Sequence, residues 1–244
     1  MAGHSKWAKI KRKKAANDAK KGKLFTKLLR EIQVAARLGG EQVDANPRLK
    51  TAISAAKSMG VPSDNINKAI KRGTGDQEGV EYEEVTYEGY GPGGVAVLVK
   101  ALTENKNRTV ADIRHAFTKC NGSLASTNSV AYLFKKRGIV TIKKDLIEED
   151  KLYDIALDAG AEDISDEGDT WEVSADPSVL GKVERALSEV CGEVMAEVSF
   201  IPDTTVEVTG NDARNMEKLL ELLDDLDDVQ DVYSNCELKL SEER

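Results

Sequence analysis

The apolar residues of this chain change their spacing near GTGDQEG, residues 73–79, and that change governs what it can fold into. Before it, Leu24, Leu28, Ile32 and Ala35/Ala36 recur every three to four residues, which predicts a helix from Lys23 with one apolar stripe, ended by Gly39-Gly40. In ANPRLKTAISAAKSMG, Asn46 can cap a second helix and Pro47 suits its first turn. Leu49, Ile53 and Ala56 form its inner face, and Gly60 and Pro62 break it. SDNINKAIKRG reads as a third helix, with Ser63 or Asp64 as its cap, Ile66 and Ile70 inward, and Gly73 as its stop. Residues 22–75 are expected to be a three-helix domain with Lys and Arg outside.

After the linker the period becomes two. EYEEVTYEGYG and GVAVLVKAL read as strands around a Gly-Pro-Gly-Gly turn, Thr109 to Lys119 as a helix, and VAYLF as another strand. From residue 138 to 201 the order is β-α-β-β-α-β, the split ferredoxin-like pattern. TTVEVTG, Asn211 to Leu226 and VQDVYS then read strand, helix, strand. A lone unit of that kind cannot bury its sheet face, so it is expected to return to the sheet of the middle domain. The expected fold class is α+β: a basic mobile arm (1–21), a helical domain (22–75), a discontinuous α+β domain (80–135 with 203–240), and a ferredoxin-like α+β domain (138–201) inserted into it.

Charge divides the chain at the same place. Residues 1–75 carry 18 Lys/Arg and 5 Asp/Glu, while residues 76–244 carry 17 and 38, although the whole is acidic at net charge −8. The first 27 residues alone hold ten Lys/Arg against the single acid Asp18. A basic module joined to an acidic body points to a polyanionic partner. Three well-separated Cys and two His supply neither a disulfide framework nor a metal set, and no cofactor or metal is expected. No apolar core follows the basic start as a secretory leader requires, and the longest aliphatic run is Val95 to Val99. A cytoplasmic protein without a membrane partner is expected.

The candidate nucleic-acid contacts are Lys6, Trp7, Lys9, Lys11, Arg12, Lys13, Lys14, Lys20, Lys21, Lys23, Lys27 and Arg30 in the arm and first helix. Such cations attract phosphate by releasing condensed counterions, with little regard to sequence. Trp7 admits two roles, stacking on a base or anchoring the arm on the helical domain. The turn SMGVPSD resembles a helix-turn-helix connection and would present Asn65, Lys68, Lys71 and Arg72 to a groove; ordinary three-helix bundles also have such turns. GYGPGG lacks the GK[ST] ending of a phosphate loop and reads as a hairpin loop, the lesser reading being a loop that approaches RNA. Lys106 and Arg108 form a small basic patch that either meets the same partner or caps a helix. DDLDDVQD, Asp224 to Asp231, reads as a solvated helix end, or else as an acidic surface for a basic protein. No Ser-His-Asp or Cys-His set, HExxH or nucleotide fingerprint is present, so no catalytic residue and no small-molecule substrate is expected.

GHSKW, GKLFTKLLREI, AARLGG, NPRL, the DNI-x-x-AI-K-x-G helix, YEGYGPGGVA and NRTVADIRHAF together resemble the YebC/PmpR family, in order and over nearly the whole chain. The resemblance implies a helical first domain followed by two α+β domains. It also implies a DNA-binding transcriptional regulator, with an alternative carried by mitochondrial and other relatives: a translation activator that binds ribosomal RNA and eases elongation at difficult sequences.

Overall fold

The computed structural model describes residues 18–75, 82–192 and 194–239, with side chains from Gly22 onward. It is an α+β protein, and the chain divides into two compact units, Met1–Leu133 with Pro202–Arg244, and Phe134–Ile201. The candidate residues Lys6, Trp7, Lys9, Lys11, Arg12, Lys13 and Lys14 lie outside the described residues.

The first unit opens with helix α1 (Asp18–Gly39), which starts five residues before the predicted start. Gly22 lies inside it, at the ~1 kcal/mol cost of an interior glycine, and Gly40, at φ +83°, ends it. Helix α2 (Pro47–Ser58) begins as the sequence predicts. Asn46 Oδ1 accepts from the Leu49 amide at 3.1 Å while its Nδ2 donates to the carbonyls of Ala35 (2.8 Å) and Gly40 (2.9 Å). One buried side chain thus caps α2 and closes α1. Helix α3 (Ser63–Thr74) has Pro62, not Ser63 or Asp64, at its cap, with no side-chain hydrogen bond there. Ile32, Ala35, Ala36, Leu49, Ile53, Ala56, Ile66 and Ala69 make the shared core.

Gly73 does not stop α3, which runs on to Thr74. It is the place where α3 meets α1: a Cβ there would collide with the Gln33 carbonyl and touch Ala36 Cβ at 3.0 Å. Gly73→Ala is therefore expected to destabilise the protein by about 2 kcal/mol, as overpacking does, read as a lowered denaturant midpoint.

Strands β1 (Glu83–Tyr90) and β2 (Ala96–Thr103) form an antiparallel hairpin from Glu83↔Thr103 to Tyr90↔Ala96. Its turn, Gly91 to Val95, carries Gly93 at φ +71° and Gly94 at φ +75°. Helix α4 (Lys106–Lys119) leads to the short β3 (Ser123–Leu124), which pairs with β1. After the second unit the chain returns as β8 (Val206–Thr209), α7 (Gly210–Asp224), β9 (Val229–Ser234) and β10 (Cys236–Lys239). The sheet order is β3-β1-β2-β9, so VQDVYS joins the middle sheet as expected; TTVEVTG does not, and β8 pairs instead with β10, in parallel. Val95, Val97 and Val99 from β2 and its approach, Ile113 and Phe117 from α4, and Met216, Leu219, Leu220 and Leu223 from α7 close the core.

VAYLF is not one strand. Ala131–Leu133 is a 3-10 turn, and strand β4 starts only at Phe134. The buried Glu88 carboxylate accepts from the amides of Asn128, Val130 and Ala131 at 2.7, 2.7 and 2.8 Å, so those donors are spent on a side chain and not on a ladder.

The second unit contains β4 (Phe134–Lys143), α5 (Glu149–Ala159), β5 (Ala161–Asp166), β6 (Thr170–Ala175), α6 (Leu180–Cys191) and β7 (Met195–Pro202). The sheet order β5-β6-β4-β7, with β6 antiparallel to both neighbours, is that of a split βαβ fold. Val140, Ile142, Leu152, Ala156, Trp171, Val173, Val183 and Leu187 form its core. The Lys144 ammonium lies 4.4 Å from the Trp171 ring centre.

Candidate nucleic-acid interface

A cation can grip phosphate only if the fold leaves it exposed and unpaired, and the described Lys and Arg residues divide sharply on that test. On α1, Lys23, Lys27 and Arg30 follow one another at helical spacing and point into the first unit. The Lys27 ammonium donates to the Asp224 carbonyl at 2.5 Å and lies 3.4 Å from its carboxylate, with only 6% of the residue exposed. Lys23 donates to the Asp225 carbonyl at 3.1 Å. Arg30 Nη1 donates to the carbonyls of Leu102 (3.0 Å) and Asp227 (2.8 Å) and to Asp228 Oδ1 (3.1 Å), its guanidinium 4.8 Å from the Tyr82 ring centre. Lys27 and Arg30 are thus taken up inside the protein and withdrawn from the phosphate-contact set.

What receives them is DDLDDVQD. This run follows α7, where the final carbonyls of a helix carry partial negative charge and lack helical partners. Carbonyls and carboxylates together make an anionic seat for the cationic stripe of α1; the reading as a solvated end holds for the exposed Asp225 and Asp227 but not for Asp228, which is buried. Asp228 is the hub. Its second oxygen, Oδ2, accepts from Arg108 at 2.9 Å, Thr109 Oγ1 at 2.7 Å and Thr103 Oγ1 at 3.3 Å. Burial is the largest single influence on its acidity and raises its pKa; the Thr109 and Arg108 hydrogen bonds and the charges of Arg108 and Arg30 outweigh burial and hold it below the ordinary aspartate value.

The patch at Lys106 and Arg108 is also consumed. Lys106 pairs with Glu83, Arg108 with Asp228, and the cap of α4 is Asn105, whose side chain accepts from the Arg108 amide at 3.1 Å. Sequence reasoning missed Arg48, which makes a bidentate pair with Glu31 at 2.7 and 3.1 Å and also meets Glu84.

The exposed cations of α2 and α3 form the candidate interface. Between Pro47 and Gly75 the chain has six Lys/Arg and one acid, Asp64. Lys50, Lys57, Lys68, Lys71 and Arg72 are exposed, and none has an ion-pair partner among the described residues. On α3, Asn65, Lys68 and Arg72 fall on one stripe with Lys71 beside it, all exposed. Lys20 and Lys21 belong to the first turn of α1, at the point where the basic arm enters the described structure. Among the described residues no group of three or more His, Cys, Asp or Glu could hold a metal ion, and no described helix is long and apolar enough to cross a membrane.

This arrangement has close relatives. A family model described as the TACO1/YebC protein N-terminal domain matches residues 5–76, and one described as the TACO1/YebC second and third domain matches residues 82–236. A probable transcriptional regulatory protein of Desulforapulum autotrophicum is 52% identical over 98% of this chain and 97% of its own. One from Thermotoga maritima is 52% identical over 98% and 94%. Among solved structures, a conserved hypothetical protein from Aquifex aeolicus superposes with a TM-score of 0.84 at 43% identity, covering 93% of each chain. With helical module, sheet units and sequence all matched, this chain belongs to the TACO1/YebC family.

Proposed function

We propose that this chain is a cytoplasmic, non-enzymatic regulator that binds nucleic acid, acting on DNA as a transcriptional regulator. The observation that carries this reading is the division among its cations. Lys23, Lys27 and Arg30 on α1 are paired internally, whereas Lys50, Lys57, Lys68, Lys71 and Arg72 on α2 and α3 are left exposed in a segment with one acid. A fold that neutralises charge where it needs cohesion and leaves it bare elsewhere has an anion to meet. The arm residues Lys6, Lys9, Lys11, Arg12, Lys13 and Lys14 extend the same character, and relatives of similar length are named probable transcriptional regulatory proteins. Arm and helical module grip phosphates, and Asn65 through Arg72 face the groove.

Neutralising Lys11 to Lys14 together is expected to lower the slope of log affinity against log salt by up to about 3.6, since each of the four phosphate contacts contributes roughly 0.9 on duplex DNA. Lys27→Gln is expected to leave that slope unchanged while lowering stability. An unchanged slope in the arm variant would remove the arm from the grip.

A second reading, ribosomal RNA as the target and translation as the process, has its own support in Trp7. A Trp between Lys6 and Lys9 suits stacking on unpaired bases better than tracking duplex phosphates. Ultraviolet crosslinking in cells, with sequencing of attached DNA and RNA, separates the two. Discrete promoter sites are the expected result, and ribosomal RNA in their place would overturn the transcriptional reading.

A further inference from the structure

The loop from Ala125 to Tyr132 is held far more firmly than its packing requires. Glu88 is 3% exposed, and its carboxylate collects three loop amides at 2.7–2.8 Å. Its own carbonyl accepts from the Ala125 amide at 2.8 Å, and the Tyr90 hydroxyl donates to the Ser129 carbonyl at 3.0 Å. Asn128 adopts the left-handed region at φ +65°. A carboxylate is costly to bury unless fully hydrogen-bonded, so this one is committed to shaping a loop. Yet the loop buries little: Ser126, Thr127 and Asn128 are exposed, and the Tyr132 ring, with the residue 71% exposed, stands in water.

The charge pattern around it is equally specific. Charged residues make up 32% of the chain, but there is none from Gly89 to Val99 and none from Cys120 to Leu133. These stretches adjoin, because Tyr90 pairs with Ser123 and Gly89 with Leu124. In an acidic part of the chain they make a window with no charged residue of its own, bordered by Asp212 beside Gly93, with the Gly93-Gly94 turn exposed and an aromatic ring presented on a rigid support.

We propose that this window is a second nucleic-acid contact, in which Tyr132 stacks on an unpaired base and the Ser126–Asn128 edge hydrogen-bonds it. A base offers a π-face and neutral donors and acceptors, which is what the window matches, while the phosphates on either side meet no negative charge from these two stretches. A rigid aromatic side chain gives such contact area at small cost in conformational entropy. The inference rests on the nucleic-acid-binding reading above and adds single-strand preference to the phosphate grip of the arm and helical module.

The test uses the full chain with a fluorescein-labelled single strand of mixed sequence and the duplex of the same sequence. Tyr132→Ala is expected to weaken single-strand binding about tenfold, with the salt slope and duplex affinity unchanged, and Tyr132→Phe to bind within about twofold of the parent. The variant neutralised at Lys11 to Lys14 serves as the control. If it weakens both probes while Tyr132→Ala binds both like the parent, the window is not a contact, although the parent reading stands. If neither variant changes either probe, both readings fall. Equal loss on single strand and duplex would also overturn stacking. Photocrosslinking from a thiouridine-containing strand is expected to place adducts within Ser126–Tyr132; adducts confined to other segments would overturn the proposal.

Discussion

Asp228→Ala is expected to cost about 3–5 kcal/mol, the range for removing one partner from a buried ion pair, seen as a lower midpoint in denaturant unfolding. The side chain is nearly inaccessible, and its two oxygens take Arg30 on one side and Arg108, Thr109 and Thr103 on the other. Deleting it leaves the Arg30 guanidinium without its ion-pair partner, held by the Leu102 and Asp227 carbonyls, and its Nε already lacks a hydrogen-bond partner. It also removes the tie between α1, the end of β2 and the start of α4. Amide exchange in α1 is expected to accelerate more than in α7, whose core of Met216, Leu219, Leu220 and Leu223 is untouched. Asp228→Asn keeps one acceptor oxygen and sets an NH2 donor against the donors on the other side, so it should fall between parent and Ala. The folded pKa is depressed. The stabilisation is therefore complete above the unfolded aspartate value near 3.9 and is lost as pH falls through the folded value. A midpoint unchanged by Asp228→Ala would show that the seat under α1 contributes no cohesion.

The helical module was largely legible because its rules are local. Asn46 and Pro47 announce the start of α2 by their own chemistry, and the apolar stripes of α1 to α3 need only 3.6-residue spacing. The β-α-β-β-α-β order of the second unit could likewise be read from alternating periods. What escaped was set by partners far along the chain. Lys27 looks like any solvated lysine until Asp224, 197 residues later, is placed beside it. The only local hint is that Lys23, Lys27 and Arg30 border the apolar stripe of α1. VAYLF has the composition of a strand, and only Glu88, some 40 residues earlier, diverts its amides. Gly73 reads as a stop because glycine in a helix usually weakens it; its reason here is a close approach to Gln33, which spacing cannot reveal. The exposed face of α3 was legible as residues, since Asn65, Lys68, Lys71 and Arg72 needed only helical geometry to fall together.

Glu88→Ala is expected to cost about 3 kcal/mol, at roughly 1 kcal/mol for each of the three amides that lose their acceptor. The loss should be local before it is global. Val130 is fully buried and Phe134 nearly so, and these anchor the loop ends, whereas Ser126 to Ser129 have little else to hold them. Amide exchange at Asn128, Val130 and Ala131 should rise by orders of magnitude while β1 and β2 remain protected. Glu88→Gln is the sharper variant. Its nitrogen would face an amide donor, so one hydrogen bond becomes a donor–donor contact, and a loss approaching that of Ala is expected despite the matched shape. Burial, the largest influence on Glu88, pushes its pKa up. The amides of Val130, Asn128, Ala131 and Ser129 together outweigh it and hold the carboxyl below the ordinary glutamate value. The loop is accordingly pinned fully above the unfolded value near 4.3 and released as pH falls through the folded one. If Tyr132 is a stacking platform, Glu88→Gln should weaken single-strand binding at neutral pH without touching a residue that meets the base, and Tyr132→Ala should add nothing further. Additive losses from the two substitutions would mean that the carboxylate shapes the loop for a purpose other than presenting that ring.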